Sequence, residues 1–180
     1  MSSTDYVAEK HLKSKCISVD IDRCIGCGIC ELICSFVKSG EKSFNPLYSR
    51  IHVTQINGEN VAVACLMCED APCVKACPRN ALTQSKENGI ILVDESKCTG
   101  CGWCLIACNF GSIIFTEKGK VTTCDLCAGR EKSRVFPGRP MTQQACIAWC
   151  PEEAISLVDK HRLSQKILLE TIAKLRSPET

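Results

Sequence analysis

The segment CIGCGICELIC, residues 24–34, decides the fold, because its four cysteines follow the spacing C-x2-C-x2-C-x3-C. The segment CTGCGWCLIAC, residues 98–108, repeats that spacing. Two further segments carry four cysteines each: CLMCEDAPCVKACP at residues 65–78, and CDLC with CIAWCP at residues 124–127 and 146–151. We number these segments in chain order as runs one to four. Sixteen of the 17 cysteines fall into them.

This spacing meets the needs of a cubic 4Fe-4S cluster. Each of four iron corners takes one thiolate, and three cysteines two residues apart can reach three corners. The fourth corner faces away from that loop, and in two-cluster ferredoxins the last cysteine of a run ligates the other cluster. The runs therefore predict four 4Fe-4S clusters, with the candidate ligands Cys24, Cys27, Cys30, Cys34, Cys65, Cys68, Cys73, Cys77, Cys98, Cys101, Cys104, Cys108, Cys124, Cys127, Cys146 and Cys150.

Three other uses of the cysteines are weaker. A disulfide framework is typical of secreted domains, but residues 1–15 are polar and charged and predict no signal peptide. Structural zinc uses two cysteine pairs or adds histidine. Here it would leave cysteines over in each run, and His11, His52 and His161 lie away from the runs. Buried structural thiols would not recur at a fixed spacing.

Composition agrees with a fold built around metal. Only 5% of the 180 residues are aromatic, so we expect a thin apolar core and a large contribution of metal binding to folding. The formal charge is +2. Four oxidised clusters with deprotonated ligands would lower it to about −6. We therefore expect no nucleic-acid partner, and no apolar stretch is long enough to predict a membrane span.

Short strands are predicted around the runs. The segment at residues 16–21 leads into run one, and residues 154–158 follow run four. Turn signals at Asn57-Gly58, Asn88-Gly89 and Lys118-Gly119 predict three hairpins. Their strands are 51–56 with 60–64, 81–83 with 90–93, and 113–116 with 121–123. Together with short helical turns in the runs, this predicts an α+β fold of two bacterial-type ferredoxin modules.

Several residues inside and near the runs carry narrower expectations. Gly26, Gly28, Gly100 and Gly102 would let the backbone approach a cluster closely. Trp103 lies between two cysteines of run three, and we expect it to shield that cluster. Cys16, outside the runs, is expected to be a small buried hydrophobic residue on a strand.

The four runs together resemble the iron–sulfur subunits of multi-subunit molybdenum or tungsten oxidoreductases, of the dimethyl sulfoxide reductase B-subunit type. They are also similar to ferredoxins associated with carbon monoxide dehydrogenase and to small electron-transfer subunits of tungsten aldehyde oxidoreductases. The resemblance implies two pseudo-symmetric halves, with run one paired with run four and run two with run three. It implies four ligand sets: Cys24, Cys27, Cys30 and Cys150; Cys34, Cys124, Cys127 and Cys146; Cys65, Cys68, Cys73 and Cys108; Cys77, Cys98, Cys101 and Cys104. Proline follows Cys77 and Cys150 but is absent after Cys34 and Cys108.

The C-terminal residues predict an additional element. Leu163, Ile167, Leu168, Ile172 and Leu175 recur at helical spacing. We therefore divide the chain into a cluster-binding domain at 1–158 and an amphipathic helical extension at 159–180. The extension would pack on its own domain, dock into a groove on another subunit, or mediate self-association.

The expected function is electron transfer without catalysis. The sequence contains no nucleophile–base constellation and no phosphate-binding loop, and a cluster with four thiolates has no open iron for substrate. The chain would be a cytoplasmic subunit that carries electrons between a tungsten- or molybdenum-pterin subunit, with aldehyde oxidoreductase favoured, and a flavoprotein or ferredoxin. The alternatives are a free polyferredoxin carrier and a subunit of a carbon monoxide dehydrogenase or hydrogenase complex.

Overall fold

The computed structural model describes residues 15–128 and 144–160, together with Arg162 and Ser164. Within them the helices are α1 (Ile29–Lys38), α2 (Pro72–Lys75), α3 (Trp103–Ala107) and α4 (Ala145–Ala148), with a 3-10 helix at Pro46–Tyr48. The strands are β1 (Lys15–Val19), β2 (Ile51–Ile56), β3 (Glu59–Ala64), β4 (Leu82–Gln84), β5 (Ile91–Val93), β6 (Ile114–Phe115), β7 (Val121–Thr122) and β8 (Ile155–Asp159). Each run contains one of the helices, and the mixture confirms the predicted α+β class.

The strands form four separate antiparallel pairs: β1 with β8, β2 with β3, β4 with β5, and β6 with β7. All three predicted hairpins are present within one or two residues of their expected bounds. In the longest hairpin, Asn57 and Gly58 both have positive φ, 52° and 90°, as a tight two-residue turn requires. An isolated two-stranded ribbon is marginal in water, so these pairs depend on the packing around them.

The pairings divide the chain into two modules. The strand β1 leads into run one and β8 leaves run four, so the β1–β8 ladder brings these two runs together as the first module. The strands β4 and β5 lie between run two and run three and hold them together as the second module. The backbone therefore brings run one beside run four and run two beside run three.

The two modules contain the same pattern of backbone hydrogen bonds. The Asp20 amide donates to the Ala154 carbonyl in the first module, and the Asp94 amide donates to the Ala81 carbonyl in the second, both at 2.8 Å. The carbonyl of each aspartate then accepts a hydrogen bond from the amide of the first cysteine of run one or run three, at 3.1 Å in both. The modules are pseudo-symmetric at the level of individual backbone atoms.

Cysteine makes up an unusual share of the buried core. In the cluster around the second module, five of 13 buried residues are cysteines, and in the cluster around the first module three of eight are. Cys124 and Leu126 pack against both clusters and so lie where the modules meet. Cys16 is 4% exposed on β1, as expected for a buried hydrophobic residue.

The predicted helix at 159–180 lies outside the described residues, apart from Asp159 at the end of β8 and the positions Lys160, Arg162 and Ser164. None of the helices in the described part of the chain has the length and apolarity needed to span a bilayer.

Candidate metal centres

Two cavities are each lined by four cysteines that come from two different runs. One is lined by three cysteines of run one and the last cysteine of run four: Cys24, Cys27, Cys30 and Cys150. The other is lined by three cysteines of run two and the last of run three: Cys65, Cys68, Cys73 and Cys108. Each cavity thus receives three thiols from one loop and a fourth from the paired run.

A third group brings cysteines of run four beside the last cysteine of run one. Burial is the largest cause that raises the pKa of the Cys146 thiol, and the charges of Cys124, Cys127 and Cys34 raise that pKa further. Burial likewise raises the pKa of Cys124 to about 12, with Cys34 and Cys127 adding to the effect. The four thiols are therefore close enough to one another to interact electrostatically.

A fourth group joins run three to the last cysteine of run two. Burial raises the pKa of Cys104, and the charges of Cys77 and Cys98 raise it as well. Cys101, in the same loop, is exposed. Cys27 holds the corresponding place in run one and is also exposed.

The surroundings of these thiols differ. Burial raises the pKa of Cys30 to about 12 and that of Cys73 to about 11. At Cys77 and Cys108 burial acts in the same direction, but hydrogen bonds at sulfur together lower the pKa below its usual value. Metal ligation deprotonates thiols of either kind. In the described residues, no three His, Cys, Asp or Glu side chains converge closely enough to hold one metal ion. The thiols instead surround cavities, which suits a cluster whose iron atoms each take one thiolate.

The same backbone turn precedes the second cysteine of every run. The residue at this place has positive φ in all four runs: 71° at Gly26, 49° at Met67, 72° at Gly100 and 53° at Leu126. For a residue other than glycine this left-handed conformation costs roughly 1–2 kcal/mol. Met67 is completely buried and Leu126 packs against both cores, so tertiary packing holds the two strained positions.

The last cysteine of each run has a hydrogen-bonding partner at its sulfur. The Ala81 amide donates to Cys77 Sγ at 3.2 Å, and the Ala154 amide donates to Cys150 Sγ at 3.3 Å. In both cases the donor lies four residues after the cysteine. In run three the Ser112 hydroxyl lies 3.4 Å from the sulfur of the last cysteine, again four residues on.

Run one departs from this arrangement. Its helix α1 continues past Cys34 to Lys38, so the chain does not turn away after the cysteine, which explains why Ser35 replaces the proline found in runs two and four. The Arg50 amide takes over and donates to Cys34 Sγ at 3.3 Å. The insert between run one and run two therefore supplies the missing donor.

Two aromatic residues lie near the run-three loop. Trp103 is 59% exposed, and its role as a shield of the cluster stays a prediction. Phe115 on β6 lies beside the loop as well, with its ring 3.7 Å from where a Cβ on Gly102 would stand. The contact of Phe115 with this loop could not be predicted, because nothing in the local sequence shows how the β6–β7 hairpin folds back.

Alanine substitutions at the equivalent glycines of runs one and three should lower the thermal stability by different amounts. At Gly26 an added Cβ would lie 2.6 Å from Asn60 Oδ1, which can move, whereas at Gly100 it would overlap the Gly119 carbonyl oxygen. At Gly58 no described atom lies within 4 Å of the added Cβ, so Gly58→Ala is a control for backbone strain alone. We expect Gly58→Ala to lower the thermal unfolding midpoint of the reconstituted protein by a few degrees, at roughly 2–4 °C per kcal/mol.

Gly26→Ala should lower the midpoint somewhat more than Gly58→Ala does. Gly100→Ala should lower it at least twice as much as this control. Replacing Asn60 by alanine in the Gly26→Ala background should recover part of the loss. Equal midpoints for Gly26→Ala and Gly100→Ala would contradict the packing described for the run-three loop.

Comparison with known proteins agrees with this geometry. A family model described as "4Fe-4S dicluster domain" matches residues 56–161. The chain is 36% identical over 163 residues to "Putative electron transport protein YsaA" of Escherichia coli, covering 83% of this chain and 96% of that protein. It is 33% identical over 172 residues to "Electron transport protein HydN" of Escherichia coli, covering 83% and 90%.

A relative from Pyrococcus furiosus is named as part of an enzyme complex. The "Aliphatic sulfonate oxidoreductase, polyferredoxin-like subunit" is 43% identical over 119 residues, covering 64% of this chain and 67% of that protein. With cysteines from paired runs gathered around shared cavities, and with these relatives, the chain belongs to the family of iron–sulfur proteins that carry the 4Fe-4S dicluster domain.

Proposed function

We propose that this chain is a non-catalytic electron-transfer subunit that holds four 4Fe-4S clusters. The observation that carries the proposal is the pair of cavities, each lined by four cysteines from two runs. The interacting thiols of the other two groups support two more sites. The proposed ligand sets are Cys24, Cys27, Cys30 and Cys150; Cys34, Cys124, Cys127 and Cys146; Cys65, Cys68, Cys73 and Cys108; Cys77, Cys98, Cys101 and Cys104.

The protein's own contribution is to hold these sites and adjust their surroundings. When bound, each cluster supplies reversible exchange of one electron. The backbone amides of Ala81, Ala154 and Arg50 donate hydrogen bonds to ligand sulfurs. Such hydrogen bonds favour the more negative, reduced state of a bound cluster. Buried apolar residues such as Ile91 and Ile155 line the two cavities and limit access of water.

The arrangement supports a path with two ends. Cys124 packs against the cores of both modules, so its proposed site lies at the junction between them. Cys27 and Cys101 are exposed, and they belong to two other proposed sites, one in each module. We propose that electrons enter and leave the chain near these two cysteines.

We propose that the chain is one subunit of a larger oxidoreductase. A tungsten- or molybdenum-pterin subunit, with aldehyde oxidoreductase favoured, would exchange electrons at one end, and a flavoprotein or ferredoxin at the other. The relative named as a polyferredoxin-like subunit of an aliphatic sulfonate oxidoreductase supports a catalytic partner. We propose further that the chain is of the B-subunit type, with a cluster-binding domain at residues 1–158 and an extension at residues 159–180. The extension would dock on a partner or mediate self-association, and the protein would be cytoplasmic.

A second candidate is a free polyferredoxin carrier. The two relatives that match over 90% or more of their own length are named electron transport proteins, without mention of a complex. A carrier would use the same four sites and differ only in lacking a permanent partner. A subunit of a carbon monoxide dehydrogenase or hydrogenase complex would differ in the partner alone.

Anaerobic isolation of the affinity-tagged chain from its native cells tests the proposal. We expect about 16 iron atoms per chain, together with a larger polypeptide whose metal analysis shows tungsten or molybdenum. Isolation as a single polypeptide with full iron content would favour the carrier. Markedly fewer than 16 irons after complete reconstitution would contradict the four-cluster proposal.

A further inference from the structure

Asp125 in run four joins two basic side chains that come from other parts of the chain. Its Oδ1 atom accepts from Lys38 Nζ at 2.5 Å, and its Oδ2 atom accepts from Arg50 Nη1 at 2.6 Å. The Lys38 side chain is only 4% exposed, and those of Asp125 and Arg50 are 20% and 25% exposed. Lys38 ends helix α1 and Arg50 precedes β2, so this basic triad ties run four to run one and to the insert.

The triad lies against the cysteines of one proposed site. Asp125 stands between Cys124 and Cys127, and its Oδ1 atom accepts from the Cys127 amide at 3.1 Å. The backbone amide of Arg50 donates to Cys34 Sγ. Lys38 follows Cys34 by one turn of α1, so the two side chains lie on the same face of the helix.

The charges of the triad do not cancel. Asp125 accepts from both cations through its two oxygens, one to each, which is the geometry of an ionised carboxylate. Two cations and one anion leave a net charge of +1, and buried charges are screened by salt much less than exposed ones. At the site of Cys30 the residue that follows the cysteine is instead acidic, Glu31.

We propose that Lys38 and Arg50 raise the reduction potential of the centre held by Cys34, Cys124, Cys127 and Cys146, and that Asp125 offsets part of their charge. Reduction adds negative charge to the centre, and a nearby positive charge stabilises the reduced form. This inference rests on the proposed function, because it requires that the site holds a redox centre.

Midpoint potentials of the reconstituted full chain, from redox titrations followed by electron paramagnetic resonance, test the inference. Lys38→Gln and Arg50→Gln should each shift one centre to a more negative potential and leave the others in place. Glutamine at position 50 keeps the backbone donor to Cys34, so this variant changes only the side-chain charge. We expect each variant to lower the equilibrium constant for reduction of this centre several-fold to tenfold. A tenfold change corresponds to 59 mV for one electron.

Asp125→Asn should shift the same centre in the opposite direction, because it removes the negative charge of the triad. The matched control is Lys42→Gln, which makes the same charge change at an exposed position beyond α1. Its effect should be small and should vanish at 1 M salt, whereas the effect of Lys38→Gln should persist.

Two results would overturn the inference. One is a set of potentials unchanged by Lys38→Gln and Arg50→Gln in variants with wild-type iron content. The other is a shift of Asp125→Asn in the same direction as Lys38→Gln, which would indicate a structural effect of breaking the triad. A wild-type chain that forms no iron–sulfur centre would overturn the proposed function and this inference together.

Discussion

Removal of iron should unfold this chain, leaving no native-like apoprotein. The largest described sheets have two strands each, and such ribbons are marginal without further packing. Cysteines that would then bear no metal form a large share of both buried cores. Without metal, four thiols around a cavity contribute neither ligand bonds nor a filled core, and metal-binding free energy in such sites is folding free energy.

Far-UV circular dichroism and proton NMR before and after anaerobic chelation measure this effect. We expect loss of strand signal and of dispersed methyl resonances, and their return on reconstitution with iron and sulfide. Cys16→Ala is the control for the loss of a buried thiol outside the runs, and it should keep its metal and its fold. Cooperative thermal unfolding of the metal-free protein would contradict the prediction.

Paired cysteine substitutions should reveal which thiols share a centre. Cys73 and Cys108 lie in different runs but line the same cavity, whereas Cys104 and Cys108 lie in the same run but in different proposed sets. We expect Cys73→Ala/Cys108→Ala to lose one centre and keep about 12 irons per chain, and Cys104→Ala/Cys108→Ala to lose two centres and keep about 8.

Iron and sulfide analysis of the reconstituted variants gives these numbers, with Cys16→Ala as the control that should lose none. Circular dichroism shows whether the first module remains folded in each double variant. The reverse result, about 8 irons for Cys73→Ala/Cys108→Ala and about 12 for Cys104→Ala/Cys108→Ala, would mean that each run binds its own cluster and would contradict the crossed arrangement.

The hairpins and the cysteine runs could be predicted because both depend on local signals, whereas the pairing of the runs was implied only by the resemblance to a known family. Asn57-Gly58 determines a tight turn by the conformations that its two residues allow, and regular cysteine spacing reflects a repeated loop. A further local signal was present but unused: Val-Asp-x3-Cys occurs at residues 19–24 and again at 93–98. Its aspartates are the pair that makes matching hydrogen bonds in the two modules.

The strained turns of runs two and four could not be predicted in the same way. Gly26 and Gly100 indicate positive φ by their residue type, but Met67 and Leu126 occupy the equivalent place only because tertiary packing holds them there. Arg50 was also missed, since its role depends on how the insert returns to Cys34, 16 residues earlier. Such contacts arise from the path of the chain and leave no periodic pattern.

The β1–β8 ladder has a topological consequence. Lys15 pairs with Asp159 at one end of it, and the two strands take the places that β4 and β5 take in the second module. Linking residue 159 to residue 15 would turn the chain into a ring in which one unit occurs twice, each with a last cysteine, two strands and a three-cysteine loop. In this ring β8 and β1 would form a hairpin equivalent to the one formed by β4 and β5. A circular permutant opened instead at Asn88-Gly89 would retain every strand pair, because termini at exposed turns are well tolerated.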